Sequence, residues 1–316
     1  MTEENRDNKY PPQYNLETQP TMSPAKAAVY SLFIVFFLYQ FGGGMLHLLI
    51  FGFDLKDANM NAFRLFTAAG QILFILAPAL ILAKVVYIDV TPILRVKMPH
   101  WKEIAVFVLG LVIVIPLLQN FIYVQNFLIQ QLAEVSTSFE SVKSFFDKMD
   151  QHLVSTYEGI LSANSIFEMI LIVLVVAVVP GVCEEVFFRG FVQKSFELSI
   201  KPFWAIFITS LAFSLYHFNP YGLLALLILA MYFGFAVYIS NSILIPILLH
   251  FLNNLFSIVV YFIWGAEELT NTTIIKPEEF EFNLISLIFL SIIFFLFLFY
   301  VKKYYYKFNN IYKEAL

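Results

Sequence analysis

Long apolar runs separated by short polar breaks make up most of the chain, and the lengths of those runs decide the class of fold. A helix needs about 20 mostly apolar residues to cross a bilayer, and runs of that order lie near 26–51, 61–86, 103–124, 164–192, 203–218, 222–240, 243–264 and 283–301. They predict an all-α fold, a polytopic membrane helix bundle of about eight transmembrane helices. The fifth run is short and needs a helical extension on one side. Between the third and fourth runs, residues 125–162 carry Phe139, Val142, Phe145, Phe146 and Met149 at helix-like spacing, which predicts an amphipathic helix on the outer interface. Residues 87–101 mix apolar and basic side chains with Trp101 and are expected at the inner interface.

The first 24 residues combine charge, Pro, Asn and Gln with almost no aliphatic content, the signature of a disordered, solvated tail. They lack the basic start, short apolar stretch and small-residue cleavage site of a secretory signal, so the first apolar helix is expected to be retained. The chain then divides into a cytoplasmic tail (1–24), N-terminal transmembrane helices with the amphipathic outer segment (25–165), a polar-studded core (166–260), and an outer loop, last helix and basic tail (261–316).

Composition agrees with this reading. Of the 316 residues 60% are hydrophobic, 18% aromatic and 13% charged, against about 45–50% apolar and roughly 25% charged in soluble domains. From Pro202 to Ala266, 65 residues pass without one Asp, Glu, Lys or Arg. The chain has no basic stripe for nucleic acid, and its single cysteine, Cys183, excludes an internal disulfide scaffold. Lys and Arg sort by loop: with both ends inside, thirteen fall on the inner side and five on the outer. That bias predicts an integral multi-pass protein of the plasma (inner) membrane with both termini cytoplasmic.

Charge inside a span needs a reason, because at the bilayer centre it costs about 2.5–3.5 kcal/mol even on lenient scales. The fourth run, IVLVVAVVPGVCEEVFFRGF, holds Glu184, Glu185 and Arg189. Glu185 and Arg189 are four apart on one helix face, acid first, the better orientation for an ion pair. Glu184 is turned by about 100° and needs another partner; a spare carboxylate is a candidate general base. His217 closes the fifth run, and His250 lies in the seventh with Asn254 one turn on. Counted from the tight turn joining the fourth and fifth runs, Glu184 and His217 reach the same height, roughly 21 and 22 Å at about 1.5 Å per residue. His250, about 12 Å above its own turn, joins that layer only if the first hairpin projects past the membrane on the inside. Each residue alone is read equally well as a chemical group or as part of a buried polar network that holds helices together or lines a transport path. Together, a Glu, two His and an Asn on three helices form the inventory of a hydrolytic site. His47, after Gly42-Gly43-Gly44, is read as helix packing, and His100 and His152 as loop residues.

The motifs Glu184-Glu185-Val-Phe-Phe-Arg189, Phe213-Ser-Leu-Tyr-His217 and His250-Phe-Leu-Asn-Asn254, in this order, resemble the CPBP family of CAAX proteases and bacteriocin-processing enzymes over about a third of the chain. The resemblance implies an eight-helix intramembrane endopeptidase whose substrate is a membrane-embedded or membrane-tethered peptide or protein, CAAX-type prenylated substrates included. It implies that Glu184 and His217 activate water, that His250 and Asn254 stabilise the oxyanion, and that Glu185 and Arg189 support them. Whether a divalent metal takes part stays open: zinc would draw on Glu184, His217 and His250, and the metal-free version is preferred. The competing classes are a proton-coupled membrane transporter, which inverted repeats would favour, and a catalytically silent scaffold or immunity protein.

Overall fold

A computed structural model of the protein describes residues 20–52, 59–265 and 276–313, with side chains as far as Tyr305. The expected disordered tail therefore lies almost wholly outside the described residues, as does much of the loop after residue 265. Among the described residues every regular element is a helix. They are α1 (Pro24–Phe51), α2 (Met60–Val86), a single turn α3 (Thr91–Leu94), α4 (Trp101–Val135), α5 (Thr137–Leu161), α6 (Ile166–Glu197), α7 (Pro202–Tyr216), α8 (Leu223–Ser240), α9 (Leu244–Trp264) and α10 (Pro277–Tyr305). Seven are long and apolar enough to cross a bilayer, and α7, at 15 residues, is the short eighth. The protein is an integral membrane protein built as a helical bundle.

Helix α6 sits at the centre, packed by α1, α2, α7, α8 and α9. Lipid tails are as apolar as leucine, so helices associate through close packing. The centre of the bundle follows that rule by setting large side chains against small ones. Phe187, Phe188, Phe191 and Phe196 of α6 lie against Ala27 and Ala28 of α1 and Ala79 and Ala83 of α2. A second core joins Phe107, Leu111 and Val114 of α4 to Tyr232 and Phe233 of α8, Leu249 of α9 and Phe294 of α10.

Three expectations from the chain pattern change. The third span does not stop near residue 124: α4 runs unbroken to Val135, and the amphipathic segment begins only at Thr137. Gln125, a polar residue expected at the interface by the end of that span, has a partner inside the bundle, its amide donating to the Tyr221 carbonyl at 2.8 Å. Residues 87–101 do not all lie on the inner interface either. Ile93, Leu94 and Arg95 are buried, with the Arg95 guanidinium donating to Glu197 at the end of α6 at 2.5 Å. The last helix continues past residue 301, through the start of the basic tail, to Lys313. His100 caps α4, accepting from the Lys102 amide while its own amide donates to Glu103, and His152 lies within α5.

The ends of α5 are fastened to the bundle. Arg64 of α2, almost fully buried, donates to the carbonyls of Ile160 and Ser162 and to Asn61, and Asn61 in turn donates to Glu168 at the start of α6. Halfway along, Tyr221 in the loop after α7 donates to Asp147 at 2.5 Å. Partial burial works against the Asp147 charge, but hydrogen bonds from Lys143 and Tyr221 outweigh it and hold the carboxyl below its usual range.

Helices α6 and α8 touch most closely at Gly234. A Cβ there would stand 2.8 Å from Gln193 Oε1 and 2.9 Å from Ile206 Cγ2. Gln193 cannot step aside cheaply, because its amide donates to both the Glu197 carboxylate and the Gly234 carbonyl. Gly234→Ala is expected to cost about 1–3 kcal/mol by overpacking, read as a lower unfolding midpoint in detergent. Gly44→Ala, where a Cβ meets nothing within 4 Å, serves as the control and should not lower it.

Candidate active site

Two widened π-type turns, Val173–Val178 and Val186–Val192, bracket the charged segment of α6. Wide turns of this kind are rare and concentrate at functional sites. The second has a geometric effect. In a regular α-helix, residues four apart drift by about 40° per step, and a turn that takes up more residues offsets that drift. Glu185, Arg189, Gln193 and Glu197 therefore form one buried polar ladder. Arg189 donates to Ala230 and Gln193 to Gly234, carbonyls one turn apart on α8, and Glu197 closes the ladder on Arg95.

At the top of the ladder Glu185 is fully buried, as is Arg189. One carboxylate oxygen, Oε1, accepts from the Arg189 guanidinium at 3.0 Å and from His250 Nδ1 at 2.8 Å. A carboxylate can only accept, so Nδ1 of His250 carries the proton and Nε2 faces away from Glu185. The guanidinium also lies 4.3 Å from the centre of the Phe213 ring, a cation–π contact that helps keep a desolvated cation in place.

Glu184 is turned the other way. Its Oε2 stands 3.9 Å from His217 Nε2, and its Oε1 accepts from the Gln71 amide of α2 at 3.5 Å. Oε2 is buried and has no hydrogen-bond donor. His217 caps the end of α7, where its Nδ1 donates to the Phe213 carbonyl at 2.8 Å. A carbonyl only accepts, so this bond fixes the tautomer of the neutral ring and leaves the Nε2 lone pair on the side of Glu184. The end of α7 is itself pinned by α1. Gln40 donates to the Tyr216 carbonyl at 2.7 Å, and the Tyr216 hydroxyl donates to the Leu32 carbonyl. The chain then turns at Phe218 with φ +48°, a left-handed conformation that costs a bulky residue about 1–3 kcal/mol.

The remaining candidates are divided between these groups. Asn254 does not bond to His250; its amide donates to the Val176 carbonyl, inside the first wide turn of α6, at 2.9 Å. Among the described residues no three His, Cys, Asp or Glu side chains stand together as a metal ion would need. Glu184, His217 and His250, the set that zinc would draw on, are not gathered into one such group; the Nδ1 bonds of the two histidines, to a carbonyl and a carboxylate, leave both Nε2 atoms unengaged by those bonds. Cys183 is buried and free, and His47 packs edge-on to Phe63 at 4.9 Å between ring centres.

Residues 166–256 match the family model of the type II CAAX prenyl endopeptidases, Rce1-like. The chain carries an Rce1-like domain. That domain spans α6 to the middle of α9 and so contains Glu184, Glu185, Arg189, His217, His250 and Asn254. Its family is one of CAAX-type membrane proteases. No curated protein and no solved structure matches the chain.

Two side chains at the site lie outside the Rce1-like segment and escaped the sequence reading: Gln71 on Glu184, and Gln40 beside His217. Each is an amide within an apolar run, the kind of position that the cost of burying polar groups in lipid singles out. That signal was present in the sequence.

Removing one member of a buried charged cluster strands the others. Arg189→Leu leaves Glu185 desolvated and is expected to destabilise the bundle by about 3–5 kcal/mol. The double variant Glu185→Leu, Arg189→Leu removes both charges and should recover part of that loss, measured as unfolding midpoints in detergent.

Proposed function

We propose that the protein is an intramembrane endopeptidase that hydrolyses a peptide bond in a membrane-embedded or membrane-tethered substrate, with prenylated CAAX-type C-termini as the first class to test. The observation that carries this reading is the pair Glu184 and His217, whose facing atoms are 3.9 Å apart. That gap is too long for a direct hydrogen bond. It suits one water that donates to both acceptors at about 2.8 Å each, with an angle at its oxygen of roughly 90°. Such a water keeps a lone pair free for the substrate carbonyl.

The chemistry follows from the protonation states. Glu184 takes a proton as the water oxygen attacks, acting as general base, and His217 holds the water's second hydrogen and its orientation. The carbonyl oxygen gains negative charge, and His250 Nε2 and the second N–H of the Asn254 amide are the donors assigned to it. For His250 to donate from Nε2 while Nδ1 donates to Glu185, both ring nitrogens must carry hydrogen. The proton held by Glu184 then passes to the leaving amine, completing hydrolysis without a metal step.

The excess of Lys and Arg on one set of loops, thirteen against five, supports an orientation with both termini cytoplasmic, in the plasma (inner) membrane.

The test is cleavage of a lipidated CAAX peptide and a plain membrane-spanning peptide by the purified protein in lipid nanodiscs. Glu184→Ala and His217→Ala are each expected to reduce kcat by about 10²–10⁴-fold, the range for a lost acid–base group. Wild-type rates from both variants would overturn the assignment.

A further inference from the structure

Gln71 has no evident reason to be polar. It is nearly buried, and beyond it α2 carries no polar side chain until Lys84. The other polar groups near the start of α2, half-buried Asn61 and buried Arg64, are used in fastening the start of α6 and the end of α5. Gln71 instead directs its amide N–H at Glu184 Oε1, with the Tyr39 hydroxyl of α1 also within hydrogen-bonding reach. Its own oxygen stays buried without a donor, which costs about 1–3 kcal/mol. An apolar residue of the same volume would avoid that cost, so packing alone does not account for the amide.

The geometry of the site supplies a reason. His217 is fixed twice, by its bond to Phe213 and by the Gln40 clasp on Tyr216. Glu184 has no Lys or Arg partner and no direct hydrogen bond to His217, which stands 3.9 Å away, and three side-chain torsions separate its carboxylate oxygens from a rigid backbone. Without a donor on Oε1 the carboxylate can rotate, and Oε2 loses its place opposite Nε2. At 3.5 Å the Gln71 bond is long; catalytic hydrogen bonds are commonly long before substrate arrives and tighten in the complex.

We propose that Gln71 is a positioning residue, and that α2 thereby contributes to the site from outside the segment 166–256 by holding Glu184 with one oxygen fixed and the other turned to His217. This rests on the endopeptidase reading above. A group that only orients the base should change turnover and leave substrate binding alone, since misplacement of about 1 Å can cost 10²-fold in rate.

The experiment compares Gln71→Met, which keeps the volume and removes the donor, in wild-type and Glu184→Ala backgrounds, with the membrane peptide cleavage assay read as kcat and KM separately. The expected result is a 10–100-fold fall in kcat with KM within twofold, and no further fall when Glu184 is already alanine, because the effect acts through that carboxylate. Wild-type kcat for Gln71→Met, or the same fractional loss in both backgrounds, overturns the proposal. Should Gln71→Met not fold, Gln71→Leu removes the donor with a second apolar side chain that fits a membrane helix. It must also lose kcat at unchanged KM, and wild-type turnover there overturns the proposal. If Glu184→Ala itself cleaves at the wild-type rate, the endopeptidase reading fails and this proposal with it; if only Gln71→Met is silent, that reading stands and this one falls.

Discussion

The interior of this bundle is organised by one desolvated carboxylate. Glu185 has no access to water, and an unpaired charge in that position would be among the most costly features a membrane helix can carry. Its compensation comes from Arg189 on the same helix and His250 on α9, both bonded to a single oxygen. Arg189 then reaches the backbone of α8 and the ring of Phe213 on α7. Satisfying one charge thus fixes three helices around α6. Because Glu184 is the next residue, the same arrangement decides where Glu184 cannot point. It is turned about 100° away, out of reach of the cation and toward α2 and the end of α7.

Much of the fold could be read from the chain, since span length and the four-residue spacing of Glu185 and Arg189 are set by helix geometry alone. The height arithmetic put Glu184 and His217 on one level, and their side chains lie 3.9 Å apart. His250 meets α6 one residue later, at Glu185, a distinction of one helical step that counting residues from two separate turns cannot resolve. The wide turns were legible only in part. The first had a local signal, since Pro180 has no N–H to give the Val176 carbonyl four residues earlier; the Asn254 amide that takes that place comes from α9, and no local preference encodes it. The length of α4 was hidden for a similar reason: Gln125 looks like the end of a span until the Tyr221 carbonyl is there to receive it.

The segment that matches the Rce1-like family, 166–256, holds the motif residues but not all of their neighbours. Helices α1 and α2 face α6 through alanines, which brings their backbones close enough for the amides of Gln40 and Gln71 to reach the end of α7 and the Glu184 carboxylate. Small residues at these contacts set a distance over which one amide side chain can act. The boundary of the recognisable motifs and the boundary of the polar network around Glu184 and His217 therefore differ.

Helix α7 has 15 residues, which at about 1.5 Å each cover some 22 Å, roughly 8 Å less than a typical hydrocarbon layer. The loop that follows lies at a depth where peptide groups have no solvent in lipid. It carries its own partners: Asn219 receives the Gly222 amide, Gln125 reaches the Tyr221 carbonyl, and Tyr221 bonds to Asp147 on α5. Side chains of α4 and α5 thus meet the polar groups of a turn that a full-length helix would have absorbed, and the shortness of α7 is what leaves His217 at a helix end, beside that turn, instead of in mid-span.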